Sequence, residues 1–419
     1  MRALRTVLRF LFVEHRALTI SVVLLLTSVG VALGSGFWLV ARLANVILIA
    51  IPIAYVWGRL NLRWLDVSAE RPFDRLQEGN HFEERIAVTN RSWFTKLWLE
   101  IEDLSDLPGY SARRVISIGP RSQRTWRVVS ESTRRGLYSM GPVRVSTSDL
   151  FGLFRHSRTF GAPQSVLVYP RGIDLPNFQA PPANLPGEGR YRRPTHTITP
   201  NAASVREYLP GDSLNRIHWR SSARTGDLMV KLFELDPASD VWVVLDLQGE
   251  VQAGDGDDGT EEHAVRIAAS IARYFLLANR TVGFLAFGKR LHVEEPERGL
   301  AQYTRILEHL ALGRAEGDVP LAELLNHEGR RFGRHTTVVV VTPSTDESWV
   351  VSLQMLGGRG VKLASVLLEA RTFGGEGNTL LVYSALAAAG VLTYLVKRQD
   401  DIQRALAVSA EGVPAGGGA

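Results

Sequence analysis

Arg216, Arg220 and Arg224 recur every four residues in the stretch GDSLNRIHWRSSARTG (211–226), interleaved with His218, Trp219, Ser221 and Ser222. On a helix, residues four apart share a face. Three chemistries suit that row. His218 and Ser222 are a base type and a nucleophile type one turn apart, although the sequence places no orienting acid or oxyanion donor beside them. The arginines suit phosphate, nucleic acid or anionic lipid, but Glu207, Asp212, Asp227 and Glu234 nearly balance Arg206, Arg216, Arg220, Arg224 and Lys231. The third reading is a structural clamp. Guanidinium forks pair with those carboxylates and with orphan carbonyls, while Trp219 packs beneath. Local signals place a turn at Leu209-Pro210-Gly211, an N-cap at Asp212 for a helix from Ser213, and a helix end at Gly226. LMVKLFE (228–234) follows as a strand.

A second constellation lies at the end of DVWVVLDL (240–247), a continuous apolar strand. Asp246, Gln248 and Glu250 alternate there, and Asp346 follows a later strand. Oxygen ligands so arranged suit Mg²⁺. A von Willebrand factor A domain has Asp-x-Ser-x-Ser at this point. Here Gln248 and Glu250 replace the two serines, and Val319 stands where a threonine ligand is expected. The expectation is a degenerate site with Asp246 structural, and Mg²⁺ binding is the alternative. GFLAFGK (283–289) mimics a phosphate loop, but Arg290 replaces the Ser or Thr and the run is apolar strand.

These residues need elements to hold them. After residue 240, strands TVGFLAFG (281–288), TTVVVVT (336–342), VKLASVLL (361–368) and GVLTYLV (390–396) alternate with amphipathic helices at 261–279 and 299–311 and others between. Apolar strands alternating with helices imply a parallel sheet covered on both faces, with ligands at the carboxyl ends of its strands. Residues 60–170 instead show short alternating runs: RIAVTN (85–90), KLWLEIED (96–103), ARRVISI (112–118), RTWRVVS (124–130) and PVRVST (142–147). That spacing predicts an Ig-like β-sandwich. Six prolines between Leu175 and Pro200 predict an extended connector, made basic by Arg190, Arg192 and Arg193.

The amino-terminal end reads as a membrane hairpin. Residues 17–33 carry no charge, and neither do residues 43–57. Each approaches the roughly 20 residues that a bilayer span needs, with Arg42 snorkelling at an interface. Arg2, Arg5, Arg9 and Arg16 precede the pair and Arg59 and Arg63 follow it, so the positive-inside rule places both ends, and the bulk of the chain, in the cytoplasm. The organisation is a basic segment (1–16), transmembrane hairpin (17–57), β-sandwich module (60–170), Pro-rich connector (171–200), signature segment (201–239), von Willebrand A-like α/β domain (240–408) and tail (409–419). A net charge of +5 over 419 residues argues against a dedicated nucleic-acid binder. With no cysteine, disulfides, thiolate metal sites and cysteine nucleophiles are excluded.

EYLPGDSLNRIHWRSSARTGDLMVKLFE (207–234) resembles the signature of the bacterial family called domain of unknown function 58. RRGLYSMGPVRVSTSDLFGLF (134–154) and VLVYPR (166–171) are similar to that family's preceding segments. Asn215 departs from the basic residue often found there. The resemblance implies that Tyr208, Gly211, Asp212, Arg216, His218, Trp219, Arg220, Ala223, Arg224 and Gly226 form a structural or partner-binding signature. It implies the two-span, β-module and von Willebrand A-like layout. It also implies company with a MoxR-type AAA+ ATPase and a transglutaminase-like membrane protein. The expected function is a non-enzymatic membrane-anchored scaffold for protein–protein interaction. The alternative is a metal-dependent or hydrolytic enzyme around Asp212, His218, Ser222 and Asp246.

Overall fold

The computed structural model describes residues 16–35, 37–179, 202–208, 217–233, 240–334 and 336–407, in two compact units that divide between Pro170 and Arg171. The basic segment before Arg16, most of the connector with its three arginines, Gly211 to Arg216, and the tail lie outside the described residues.

The first unit begins with two apolar helices, α1 (Arg16–Ser35) and α2 (Trp38–Leu62). Both are long and apolar enough to cross a membrane. Their leucines, isoleucines and valines are largely exposed, which separates them from the buried core helix of a water-soluble domain. The expected span ended at residue 57, yet α2 continues to Leu62. Ala54, Gly58, Asn61 and Leu62 on its last turns are buried by strands that follow.

Those strands are β1 (Leu65–Glu70), β2 (Arg75–Gln77), β3 (His81–Asn90), β4 (Lys96–Asp103), β5 (Arg114–Ile118), β6 (Gln123–Glu131), β7 (Gly136–Met140), β8 (Val143–Ser148), β9 (Arg155–Phe160) and β10 (Gln164–Tyr169). They form sheets in the orders β1-β3-β6, β5-β4-β8-β9 and β2-β10-β7. Every run read from the sequence falls on one of them. Leu65, Val67, Ile86 and Val88 of the first sheet meet Leu99, Ile101, Ile116 and Val145 of the second across one core. A smaller core of Phe82, Leu107, Met140, Val166 and Val168 lies beside the third sheet.

Between them sits a buried ionic cluster. Arg71 lies 2.7 Å from Glu84 and 2.6 Å from Asp103, and the Tyr110 hydroxyl bonds Glu84 and lies 2.9 Å from Asp103. Burial pushes the Glu84 carboxyl up despite the arginine. Removing one partner of such a cluster leaves uncompensated charge. Arg71→Met is therefore expected to cost about 3–5 kcal/mol, read as a lowered denaturant midpoint of the full chain in detergent micelles. An unchanged midpoint would show the cluster to be dispensable.

The second unit is built on a six-stranded sheet of β13 (Val241–Asp246), β14 (Val282–Phe287), β15 (Leu291–Glu297), β16 (Thr337–Thr342), β17 (Lys362–Leu368) and β18 (Leu392–Val396). Its order is β15-β14-β13-β16-β17-β18. All pairs are parallel except β14 with β15, an antiparallel edge strand that the sequence reading did not include. One face carries α6 (Leu321–Glu328), α7 (Ser348–Gly358) and α8 (Thr379–Ala388), packed on Trp242, Val244, Val338 and Val340. The other carries α4 (Thr260–Leu277), with α5 (Leu300–Leu312) beside it.

Residues 171–179, read as connector, are instead part of this unit. Leu175 and Phe178 are buried. Phe178 packs on Tyr274, Phe275 and Tyr394, and Asp174 pairs with Arg273 at 2.6 Å. A separate two-stranded antiparallel sheet pairs β11 (Ala202–Glu207) with β12 (Met229–Phe233) and carries α3 (Trp219–Thr225) between its strands.

Candidate functional site

The signature segment folds as a hairpin with a seven-residue helix. Tyr208 N–H donates to Leu228 O and His218 N–H to Met229 O, both at 2.7 Å, and Ile217 bridges Val230. The described helix starts at Trp219 and is capped by His218; Asp212 and Ser213, where the sequence placed a cap and a first turn, lie outside the described residues. The His218 ring accepts from Ser221 N–H at 3.2 Å and contacts Ser221 Oγ at 2.7 Å. Gly226 closes the helix as expected, with φ 83° in the left-handed region that favours glycine.

Two expectations change. The base-and-nucleophile pairing of His218 with Ser222 does not form. Buried Ser222 turns its hydroxyl to His218 O at 3.2 Å and accepts from Met229 N–H at 2.8 Å, so it stitches helix to strand. The clamp also lacks its floor, for Trp219 is 68% exposed instead of packing beneath the arginines. Arg220 and Arg224 are exposed on the helix with Ala223, and Arg216 lies outside the described residues. Tyr208 is half-buried. An exposed arginine contributes little to stability, so Arg220→Ala is expected to leave unfolding within about 0.5 kcal/mol of wild type. Thermal unfolding checks this, and a clear drop would restore the clamp.

The second candidate lies where the chain leaves β13 for β14 on one side and resumes at β16 on the other, the switch point at which such sheets bind ligands. Asp246 ends β13 there and is buried. One carboxylate oxygen accepts from Gln248 N–H at 3.0 Å and the other from the Thr342 hydroxyl at 2.6 Å. Thr342 in turn accepts from Ser344 N–H at 2.9 Å. Gln252 donates to Asp246 O at 3.1 Å and accepts from Thr260, so the loop folds back over the strand end.

Gln248 pairs in parallel with Gly317, Glu250 is exposed on a short 3₁₀ turn, and Asp346 accepts from Ser348 at the start of α7. Those Ser348 hydrogen bonds hold the Asp346 carboxyl below its usual range. Val319 packs against the core. The structure thus gives Asp246, Gln248, Glu250 and Asp346 separate tasks. Both oxygens of the central carboxylate accept hydrogen bonds within the protein. Among the described residues no group of three or more His, Asp or Glu could hold a metal. The sequence did not reveal Thr342 as the partner of Asp246, or Ser344 as the group that bonds Thr342. The hydroxyl-rich TPST (342–345) at a strand end was their signal.

Burial pushes the Asp246 carboxyl up to about 6, against the hydrogen bonds from Thr342 and Gln248. The folded state therefore holds more protons than the unfolded one between the ordinary value of 3.8 and about 6. This contribution to stability is complete at low pH and is lost as pH rises through about 6. Asp246→Asn removes the buried charge and is expected to stabilise the chain at pH 7.5 by about 3 kcal/mol, at 1.36 kcal/mol per pKa unit. That advantage should vanish near pH 4. Denaturant unfolding at both pH values reads it, and a destabilised variant at pH 7.5 would show that the charge is required.

Two apolar helices long enough to cross a membrane, a β module and an α/β module with an exposed signature hairpin define the class of protein. Residues 204–372 match the model of the family described as "Protein of unknown function DUF58". The uncharacterized protein YeaD of Bacillus subtilis (strain 168) is 26% identical over 313 residues, which cover 71% of this chain and 75% of that protein. Among solved structures, the CARDB domain of PF1109 from Pyrococcus furiosus overlaps 25% of this chain and 94% of its own, at 16% identity and a TM-score of 0.19. Proximal thread matrix protein 1 from the mussel byssus overlaps 40% and 46%, at 13% identity and a TM-score of 0.30. At these scores neither defines a shared fold.

Proposed function

We propose that this chain is a membrane-anchored scaffold: two transmembrane helices carry a cytoplasmic β-sandwich of Ig-like type and a von Willebrand A-like module that together receive a protein partner. The observation that carries the reading is the pair of exposed apolar helices, the second built directly into the β module. Apolar surface of that extent is costly in water and at home in a bilayer. The strand order of the α/β sheet, with one antiparallel edge, supports the von Willebrand A-like assignment. The arginines flanking the spans support a cytoplasmic bulk.

The partner surface in this reading is the signature hairpin. Trp219 stands exposed beside Arg220 and Arg224, and exposed Trp and Arg are the residue types that dominate binding energy at interfaces. By the family resemblance the partner is a MoxR-type AAA+ ATPase, with a transglutaminase-like membrane protein in the same assembly.

A second reading, a metal-dependent or hydrolytic enzyme, draws on one observation, the near-neutral acid Asp246 at the switch point. Its engaged oxygens weigh against that reading. Stoichiometric Mg²⁺ or Mn²⁺ in the purified chain, lost in Asp246→Ala, would reverse the order of the two.

The scaffold is tested with single cysteines at exposed positions, Val129→Cys and Leu300→Cys, in a chain that has none of its own. Both are expected to resist an impermeant maleimide in intact cells and to react once the membrane is opened. Labelling of either in intact cells would overturn the orientation. A photo-crosslinker at position 219 is expected to join an AAA+ ATPase. If orientation holds and no ATPase is joined, the anchor stands and the partner falls.

A further inference from the structure

The β8–β9 turn, DLFGLF (149–154), is part of a motif that neither candidate site uses. Turns between strands are ordinarily polar. This one carries Leu150 and Phe151 at its tip, 59% and 63% exposed, while the next apolar residue, Leu153, points inward and is buried.

The tip is held, not loose. The Asp149 carboxylate accepts from Phe151 N–H at 2.9 Å and from Phe154 N–H at 2.7 Å. Asp149 N–H donates to Phe154 O at 3.3 Å, and Asp149 O accepts from Gly152 N–H at 3.2 Å. Gly152 takes the left-handed φ of 67° that closes the turn. Asp149 itself is buried. The turn therefore meets much of its backbone hydrogen-bonding demand internally. A segment that leaves water must do so.

Its position follows from a ladder of contacts along α2. Asn61 donates to Thr147 Oγ1, in β8, at 2.7 Å. One turn earlier, Gly58 lies against the His156 ring of β9 so closely that a Cβ would overlap it. One turn earlier again, the Tyr55 ring meets His156 and Phe154, with centroids 5.3 and 5.4 Å apart. Six helical residues span about 9 Å. Along that distance the contacts move from strand body to turn. The turn thus points up α2 toward its exposed apolar stretch. Arg59 donates to the Tyr55 hydroxyl at 3.1 Å, a pairing of aromatic and arginine suited to the headgroup layer.

We propose that this turn is a second, interfacial membrane anchor: Leu150 and Phe151 enter the same bilayer leaflet from which α2 emerges, and fix the tilt of the β module on the membrane. The proposal rests on the reading of α2 as a transmembrane helix. Lipid is the occupant because the two side chains continue the exposed apolar surface of that helix, to which Phe154 already joins them.

The test uses the full chain in lipid nanodiscs, with an environment-sensitive fluorophore on a single cysteine at Phe151→Cys, Val129→Cys or Ile49→Cys. Position 49 lies within α2 and position 129 on exposed β6. Lipids brominated on the upper acyl chain are expected to quench the label at 151 and at 49 but not at 129. Aqueous iodide should quench only 129. A label at 151 that iodide reaches and bromolipid does not, with 49 still quenched by lipid, overturns the anchor and leaves the transmembrane reading intact. A label at 151 reached by neither is covered by protein, such as a second copy, and also overturns it. Absence of lipid quenching at 49 overturns both readings.

Discussion

The carbonyl of Leu60 belongs to the last turn of an apolar helix, where the final carbonyls lack the full set of intrahelical partners, and it already accepts from Arg63 N–H at 3.2 Å. Here Leu60 O accepts from the Lys96 ammonium at 2.6 Å, inside the β module. Lys96 is fully buried, lies 3.9 Å from the Phe94 ring centroid, and has its ammonium pulled down to about 8 by burial. Beside it, Asn61 donates to Leu97 O at 2.7 Å and accepts from Leu97 N–H at 3.3 Å, so the helix end is read by β4 as though it were a strand edge. This junction decides the rest of the first unit. The helix is joined to the sheet with no slack segment, and the sheet's position is set by the helix axis.

The second unit solves a different constraint. A parallel sheet with fully apolar strands must be covered on both faces, which leaves polar groups at the strand ends as the only place for a site. At the switch point that place is closed. Thr342 and Gln248 bond Asp246, Gln252 bonds the strand's last carbonyl, and Thr260 anchors the loop. The same position that binds ions in open sites serves here to tie β13 to β16.

Much of this order was legible in the sequence. Uncharged runs gave the two helices, period-two alternation gave the strands from 85 to 147, and continuous valine and leucine runs flanked by helical periods gave the parallel sheet. Gly226 was legible as a helix end because few other residues accept its φ. Local patterns of that kind are set by the nearest few residues, and so they survive without knowledge of the fold.

What remained hidden depended on residues distant in the chain. The sequence by itself determined that a buried strand ends in Asp246, but not that Thr342, 96 positions later, donates to it. It determined that β4 begins with a lysine, but not that this lysine caps a helix 36 positions earlier. It offered a tryptophan as a floor, and the fold left that ring exposed on the helix that starts at Trp219. Propensity and periodicity act over one or two turns. Burial, hydrogen-bond partners and the exposure of a site are decided only when strands from opposite ends of the chain meet, which is why the sequence located the elements and the tertiary structure alone decided which of their side chains face outward.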